Sequence, residues 1–173
     1  SATRRSTAFA NPAAPELTAQ DLRDGLKNPT RWLTYSGNYA NHRHSPLTQI
    51  TPENVHRLTA QWQFQTETLG KFEAAPLVFD GVIYVTGPLD TGWAIDARTG
   101  RQIWRYRREL PGGLIACCGL VNRGFGVLGD RLFKTTLDAH VVAISRKTGA
   151  LEWDTAMAPY RNGYSGTTAP LVV

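Results

Sequence analysis

From residue 60 onward the chain carries short β-favouring runs split by turn residues: Gln61–Gln65, Ala75–Phe79, Val82–Thr86, Gly92–Asp96, Gln102–Arg107, and more of the same beyond. Runs of that length at that spacing predict an all-β region. The stretch before it reads differently. Thr18 is placed to cap a helix, Asp21 follows as its capping-box partner, and Leu17 with Leu22 fits a hydrophobic staple. Asp21 also suits the positive end of a helix dipole. Asn28-Pro29 supplies the stop, because a residue before proline avoids the α region. A short surface helix is therefore predicted over Ala19–Lys27. A second helical turn is predicted to begin at Thr51-Pro52, with proline at the first helical position. Three regions follow: a Ser-, Ala- and Thr-rich flexible lead-in over 1–17, a helix and extended segment over 18–59, and the β region over 60–173.

The β region repeats itself. Ala94-Ile95-Asp96-Ala97-Arg98-Thr99-Gly100 followed by Trp104 matches Ala143-Ile144-Ser145-Arg146-Lys147-Thr148-Gly149 followed by Trp153, at an offset of 49 residues. Upstream, in the same register, Ile83-Tyr84 faces Leu132-Phe133 and Thr86 faces Thr135. Each copy reads as two strands joined by a tight turn. Glycine supplies the positive φ that closes the turn, and tryptophan on the next strand buries a large ring. Two similar hairpins in a sandwich would give one such match; the constant register with its tryptophan argues for repetition. A unit of about 50 residues holding about four strands suits a propeller blade. Ala169-Pro170-Leu171-Val172-Val173 echoes Ala75-Pro76-Leu77-Val78-Phe79 and starts a third copy. Propellers close with roughly four to eight blades, and about two are present. The chain is accordingly read as an N-terminal fragment that stops inside a blade and folds poorly by itself, with unpaired strand edges and one open face.

Composition removes several classes. The 173 residues are 42% hydrophobic and 19% charged, enough for a core and too evenly mixed for disorder. No apolar run reaches the roughly 18 residues of a membrane span. The net charge of +5 comes without a basic motif, so nucleic acid is not indicated. A Rossmann fingerprint and a P-loop are both missing. Ser1 stands where Met would, and no apolar stretch follows Arg4 and Arg5, so either a leader has been removed or the sequence is a piece. His42 and His44 have no third ligand nearby and read as a solvated loop. Arg101, Arg105, Arg107 and Arg108 flank Trp104 and read as an exposed propeller face. Asp90 and Asp138 follow leucines in or near equivalent repeat positions and read as turn formers.

The two cysteines exclude a disulfide scaffold, but they are adjacent. Cα atoms across a trans peptide lie about 3.8 Å apart, short of the usual disulfide span of about 4.4–6.8 Å. A bond between Cys117 and Cys118 would strain the peptide and close almost no loop. Its value would lie in local shape, as a rigid, polarisable plate for a flat ligand. Two reduced, buried thiols are the other reading.

Around them runs Cys117-Cys118-Gly119-Leu120-Val121-Asn122-Arg123-Gly124, with Glu73-Ala74-Ala75-Pro76 upstream and Thr167-Thr168-Ala169-Pro170 downstream. This chain resembles the quinoprotein alcohol dehydrogenases, the methanol and ethanol dehydrogenase family that uses pyrroloquinoline quinone (PQQ). The similarity runs from about Thr18 to Val173 and includes Tyr35-Ser36-Gly37-Asn38-Tyr39 and Ser45-Pro46-Leu47-Thr48-Gln49-Ile50. The Cys-Cys-x-x-x-Asn-Arg-Gly element is its most specific part; the Trp-bearing turn is shared by a wider eight-bladed family.

The resemblance implies an all-β, eight-bladed propeller of Trp-docked blades, of which this chain covers the lead-in and about two. It implies that Cys117 and Cys118 form a disulfide stacked on one face of PQQ, and that Arg123 contacts the quinone carbonyls. Glu73 falls at the polar edge of the cofactor, where a tricarboxylate demands a shared proton or an intervening donor. Thr167 supplies a hydroxyl to a cofactor carboxylate, with Thr168 as the adjacent competitor. The family's calcium or lanthanide ligands, its general base and its second stacking ring lie downstream, so no catalytic or metal residue is assigned here. The whole enzyme would oxidise a primary alcohol to an aldehyde by hydride transfer to PQQ and pass electrons to a cytochrome c. A disulfide on the cofactor implies the periplasm. A non-catalytic propeller scaffold and a sugar-oxidising quinoprotein share the blades, but neither explains the cysteine pair.

Overall fold

The computed structural model describes residues 16–116 and 119–173; Cys117 and Cys118 lie outside the described residues. Two four-stranded antiparallel meanders form the bulk of it. The first comprises β1 (Leu77–Phe79), β2 (Val82–Thr86), β3 (Gly92–Asp96) and β4 (Gln102–Tyr106). The second comprises β5 (Gly126–Leu128), β6 (Arg131–Thr135), β7 (His140–Ser145) and β8 (Leu151–Ala156).

Turn chemistry explains the meanders. Asp80-Gly81 joins β1 to β2 with φ of +52° and +76°, the mirror-image turn that an Asp-Gly pair favours. Gly129 takes φ +60° at the matching bend between β5 and β6. Between β3 and β4, the Asp96 carboxylate accepts from the amides of Arg98 and Thr99 at 3.0 and 2.8 Å. The Gly100 amide then donates to the Asp96 carbonyl at 2.9 Å. Gly149 repeats that bond to the Ser145 carbonyl at 2.8 Å.

Trp62 and Trp104 lock these turns. A Cβ on Gly100 would come within 2.6 Å of the Trp62 ring, and one on Gly149 within 2.8 Å of Trp104. Trp62 Nε1 donates to the Ala97 carbonyl at 3.1 Å and Trp104 Nε1 to the Arg146 carbonyl at 2.9 Å. Trp104 thus leaves the first sheet and rests on the turn of the second. Between the sheets, Phe79, Tyr84, Trp104, Leu132 and Ile144 join one core with Leu17, Leu22 and Leu33 from the N-terminal segment.

The capping box forms as expected, Thr18 and Asp21 bonding each other's backbone amides. The helix α1 itself spans Ala19–Asp24, and Gly25–Lys27 is a 3₁₀ turn. Gly25 adopts φ +53°, which ends the α geometry before the proline signal does. At Thr51-Pro52 the chain makes a turn, and the helical residues come later, at Val55–Arg57. Gln61–Gln65 alternates exposed glutamines with half-buried Trp62 and Phe64 but has no ladder partner among the described residues. Ala169–Val173 likewise forms no ladder there. Leu17, at the end of the expected lead-in, is buried and bridged to Gly129.

Candidate functional site

The run Val121–Phe125 passes between the two sheets, and each of its residues has a distinct task. Val121 and Phe125 are buried and anchor the ends. Asn122 is fully buried. Its Nδ2 donates to the Thr135 carbonyl at 2.9 Å, and its Oδ1 accepts from the Gly124 amide at 3.1 Å. The Thr86 hydroxyl donates to the Asn122 carbonyl at 3.3 Å, so both sheets hold this residue. Gly124 has φ +139°, and a Cβ there would meet the Ala75 carbonyl at 3.0 Å. Only glycine fits that approach.

Arg123, between them, is fixed through its backbone. Its amide donates to the Thr167 carbonyl at 2.9 Å, and its carbonyl accepts from the Ala75 amide at 3.1 Å. This is why β1 starts at Leu77 and not at Ala75: the Ala75 amide is committed to the Arg123 segment, and Pro76 has no amide to give. The side chain then gathers the other two expected residues. Nη1 donates to Thr167 Oγ1 at 2.7 Å, and Nη2 lies 3.0 Å from Glu73 Oε2.

Glu73, Arg123 and Thr167 therefore form one constellation. Arg123 and Glu73 keep 34% and 37% of their side-chain surface exposed, so the group is ordered yet accessible. The donor that a glutamate needs beside an acidic ligand is the guanidinium itself. Thr167, not Thr168, accepts from Arg123; the Thr168 carbonyl is taken by the Thr135 hydroxyl at 2.7 Å. With two of its N–H groups used, the guanidinium retains others, and the Thr167 hydroxyl keeps its own proton to donate. Such a set suits a planar ligand edged with carbonyl and carboxylate oxygens. A cavity of about 520 Å³ lies elsewhere, against Trp32, Tyr35 and Pro76, and contains none of the three.

Of the other sequence expectations, some hold and some change. His42 and His44 are exposed, with His42 Nδ1 3.0 Å from Asn38 Nδ2. Arg101 and Arg107 face solvent, but Arg105 and Arg108 do not belong to an exposed face. Arg108, with a side chain only 10% exposed, grips Asp138 with two nitrogens and reaches Asp154 at 2.7 Å. Burial alone would raise the carboxyl pKa of Asp138 and Asp154; the bonds from Arg108, with Thr136 at Asp138 and His140 at Asp154, outweigh it and hold both below their ordinary value. Asp90 also exceeds its expected turn role: it is fully buried and pairs with Lys134, which sequence reading did not single out. One signal was available, a lysine at the β6 position matching Val85 in the other copy.

Residues 32–154 match the family described as "PQQ: Glucose/ethanol/alcohol dehydrogenase, beta-propeller domain". The chain is 40% identical to the 1-butanol dehydrogenase (quinone) of Thauera butanivorans over 93% of its own length and 26% of that protein's. It is 39% identical to the 1-butanol dehydrogenase (cytochrome c) of the same organism, over 82% of its length and 21% of that protein's. A solved structure described as a europium-containing methanol dehydrogenase superposes with a TM-score of 0.83 at 34% identity, covering 89% of this chain and 28% of the other. The chain spans about a quarter of the length of these relatives. With the paired meanders and the family match over most of its residues, the chain belongs to the PQQ-dependent glucose/ethanol/alcohol dehydrogenase β-propeller family.

Proposed function

We propose that this chain supplies part of the PQQ site of a quinoprotein that oxidises a primary alcohol to an aldehyde. The observation that carries the reading is the Arg123 guanidinium bridging Glu73 and Thr167 at 3.0 and 2.7 Å. When bound, PQQ supplies the two-electron acceptor. Arg123 would orient the quinone edge and offer a fixed cation to its carbonyl oxygens. Glu73 pins that cation and limits its side-chain freedom, and Thr167 donates its hydroxyl to a carboxylate. On this reading Cys117 and Cys118 would be joined as a disulfide and offer a flat surface to the ring.

In this reading the chain works as the N-terminal part of a longer propeller. Calcium or lanthanide ligands and the general base come from segments beyond Val173. The europium in the methanol dehydrogenase neighbour supports a metal of that class. Electrons pass to a cytochrome c, a reading supported by the printed name of the second Thauera relative, and the protein acts in the periplasm. The test is alcohol-dependent dye reduction by the full protein reconstituted with PQQ. Arg123→Ala is expected to lower the rate about a hundredfold or more, the scale of losing one preorganised electrostatic donor. An unchanged rate with Arg123→Ala would contradict the assignment. The 173-residue chain alone is expected to show no PQQ-dependent turnover.

A further inference from the structure

Behind the Asn122–Arg123 turn lies a fully buried ion pair. Lys134 on β6 points toward the first sheet, and neither it nor its partner Asp90 has any exposed side-chain surface. Burying two charges between sheets costs more than packing apolar side chains in the same space. The matching position in the other copy carries Val85, which is only half-buried.

The remaining bonds of the pair run toward the cofactor constellation. Lys134 Nζ also donates to the Thr135 carbonyl at 3.1 Å, and that same carbonyl accepts from Asn122 Nδ2 at 2.9 Å. The Thr135 hydroxyl donates to the Thr168 carbonyl at 2.7 Å. Asp90, held in a left-handed conformation at φ +53°, accepts from the Leu137 amide at 2.7 Å with its second oxygen. Thr135 is thereby tied on one side to the residue before Arg123 and on the other to the residue after Thr167. A positive charge placed on its carbonyl fixes a node that both functional segments share.

We infer that Lys134 and Asp90 are positioning residues for PQQ: they hold Thr135, and through it set Arg123 and Thr167 against the cofactor edge. This rests on the PQQ site proposed above. It concerns residues that need not touch the cofactor.

The test is equilibrium binding of PQQ to the full apo-protein, followed by quenching of tryptophan fluorescence. The Lys134→Met/Asp90→Asn double variant removes both charges together, so neither is left stranded. Its PQQ affinity is expected to fall about tenfold, as when outer-shell partners of a site are removed. The same double change in an Arg123→Ala/Thr167→Val background is expected to have little further effect, because both groups through which the pair acts are already gone. Unchanged affinity in the double variant overturns the inference, and so does an equal loss in both backgrounds, which would mark a general structural role. If the double variant does not fold, Thr135→Val removes only the hydroxyl bond to Thr168. It is expected to weaken PQQ binding, and unchanged affinity would overturn the inference in the same way. Failure of the unmodified protein to bind PQQ would instead refute the proposed site itself.

Discussion

The two sheets have the same topology, matching turns and matched tryptophans, yet one is sealed and the other is not. Trp104 of the first sheet is 7% exposed, and its counterpart Trp153 is 40% exposed. β4 buries Trp104 and Tyr106, whereas every residue of β8 is exposed. The inner strands invert. Tyr84 is buried where Phe133 is half-exposed, and Leu132 is fully buried where Ile83 is not. Each buried member faces the other sheet, and each exposed member faces away from it. The repeat therefore encodes the shape of a blade, and burial is decided by the neighbour. Docking between blades, more than the meander itself, carries the stability.

That difference predicts a ranking of substitutions in this chain, read as shifts of its urea unfolding midpoint, which is expected to be low because one face of the second sheet is open. Trp104→Ala is expected to cost about 3–5 kcal/mol, the range for deleting a buried aromatic. Trp153→Ala is expected to cost about 1 kcal/mol or less. Equal losses at the two positions would refute the dependence on docking.

Arg108→Met comes next. It strands Asp138 in the contact between the β4 exit and the second sheet and is expected to cost about 3 kcal/mol. The same clamp gives a pH dependence. Asp138 and Asp154 have depressed folded-state pKa values. Their contribution is therefore complete above the ordinary carboxylate pKa of about 4 and is lost as pH falls below it. Arg108→Met should flatten that acid limb.

Gly149→Ala meets the Trp104 ring, whereas Gly81→Ala has open space at a similar positive φ. The first is expected to cost about 2–3 kcal/mol and the second about 1 kcal/mol, the cost of a left-handed alanine alone. The smallest effect is expected at the exposed Arg131–Glu152 pair within the second sheet, with Arg131→Met costing under about 1 kcal/mol.

Much of this was legible in the chain before folding. The 49-residue offset located both meanders, because a tight turn and a docked ring demand fixed residue types at fixed spacing. The candidate site residues came from short motifs read through the family resemblance, and Glu73, Arg123 and Thr167 do meet. Two kinds of feature were not. Gln61–Gln65 has a strand's alternation, but a ladder requires a second strand that no local pattern reports. The pairing of Asp90 with Lys134, and of Arg108 with Asp138 and Asp154, joins residues from different blades. Sequence periodicity describes one blade at a time, so charges buried between blades read as surface or turn residues.

The most direct test of the cofactor edge is arginine-selective modification of the full protein with phenylglyoxal, with and without PQQ, read by peptide mass spectrometry. Arg123 is 34% exposed and Arg131 is 55% exposed, so both are open to the reagent. Saturating PQQ is expected to protect Arg123 and leave Arg131 unchanged. Equal modification of Arg123 in the two conditions would contradict its placement at the quinone.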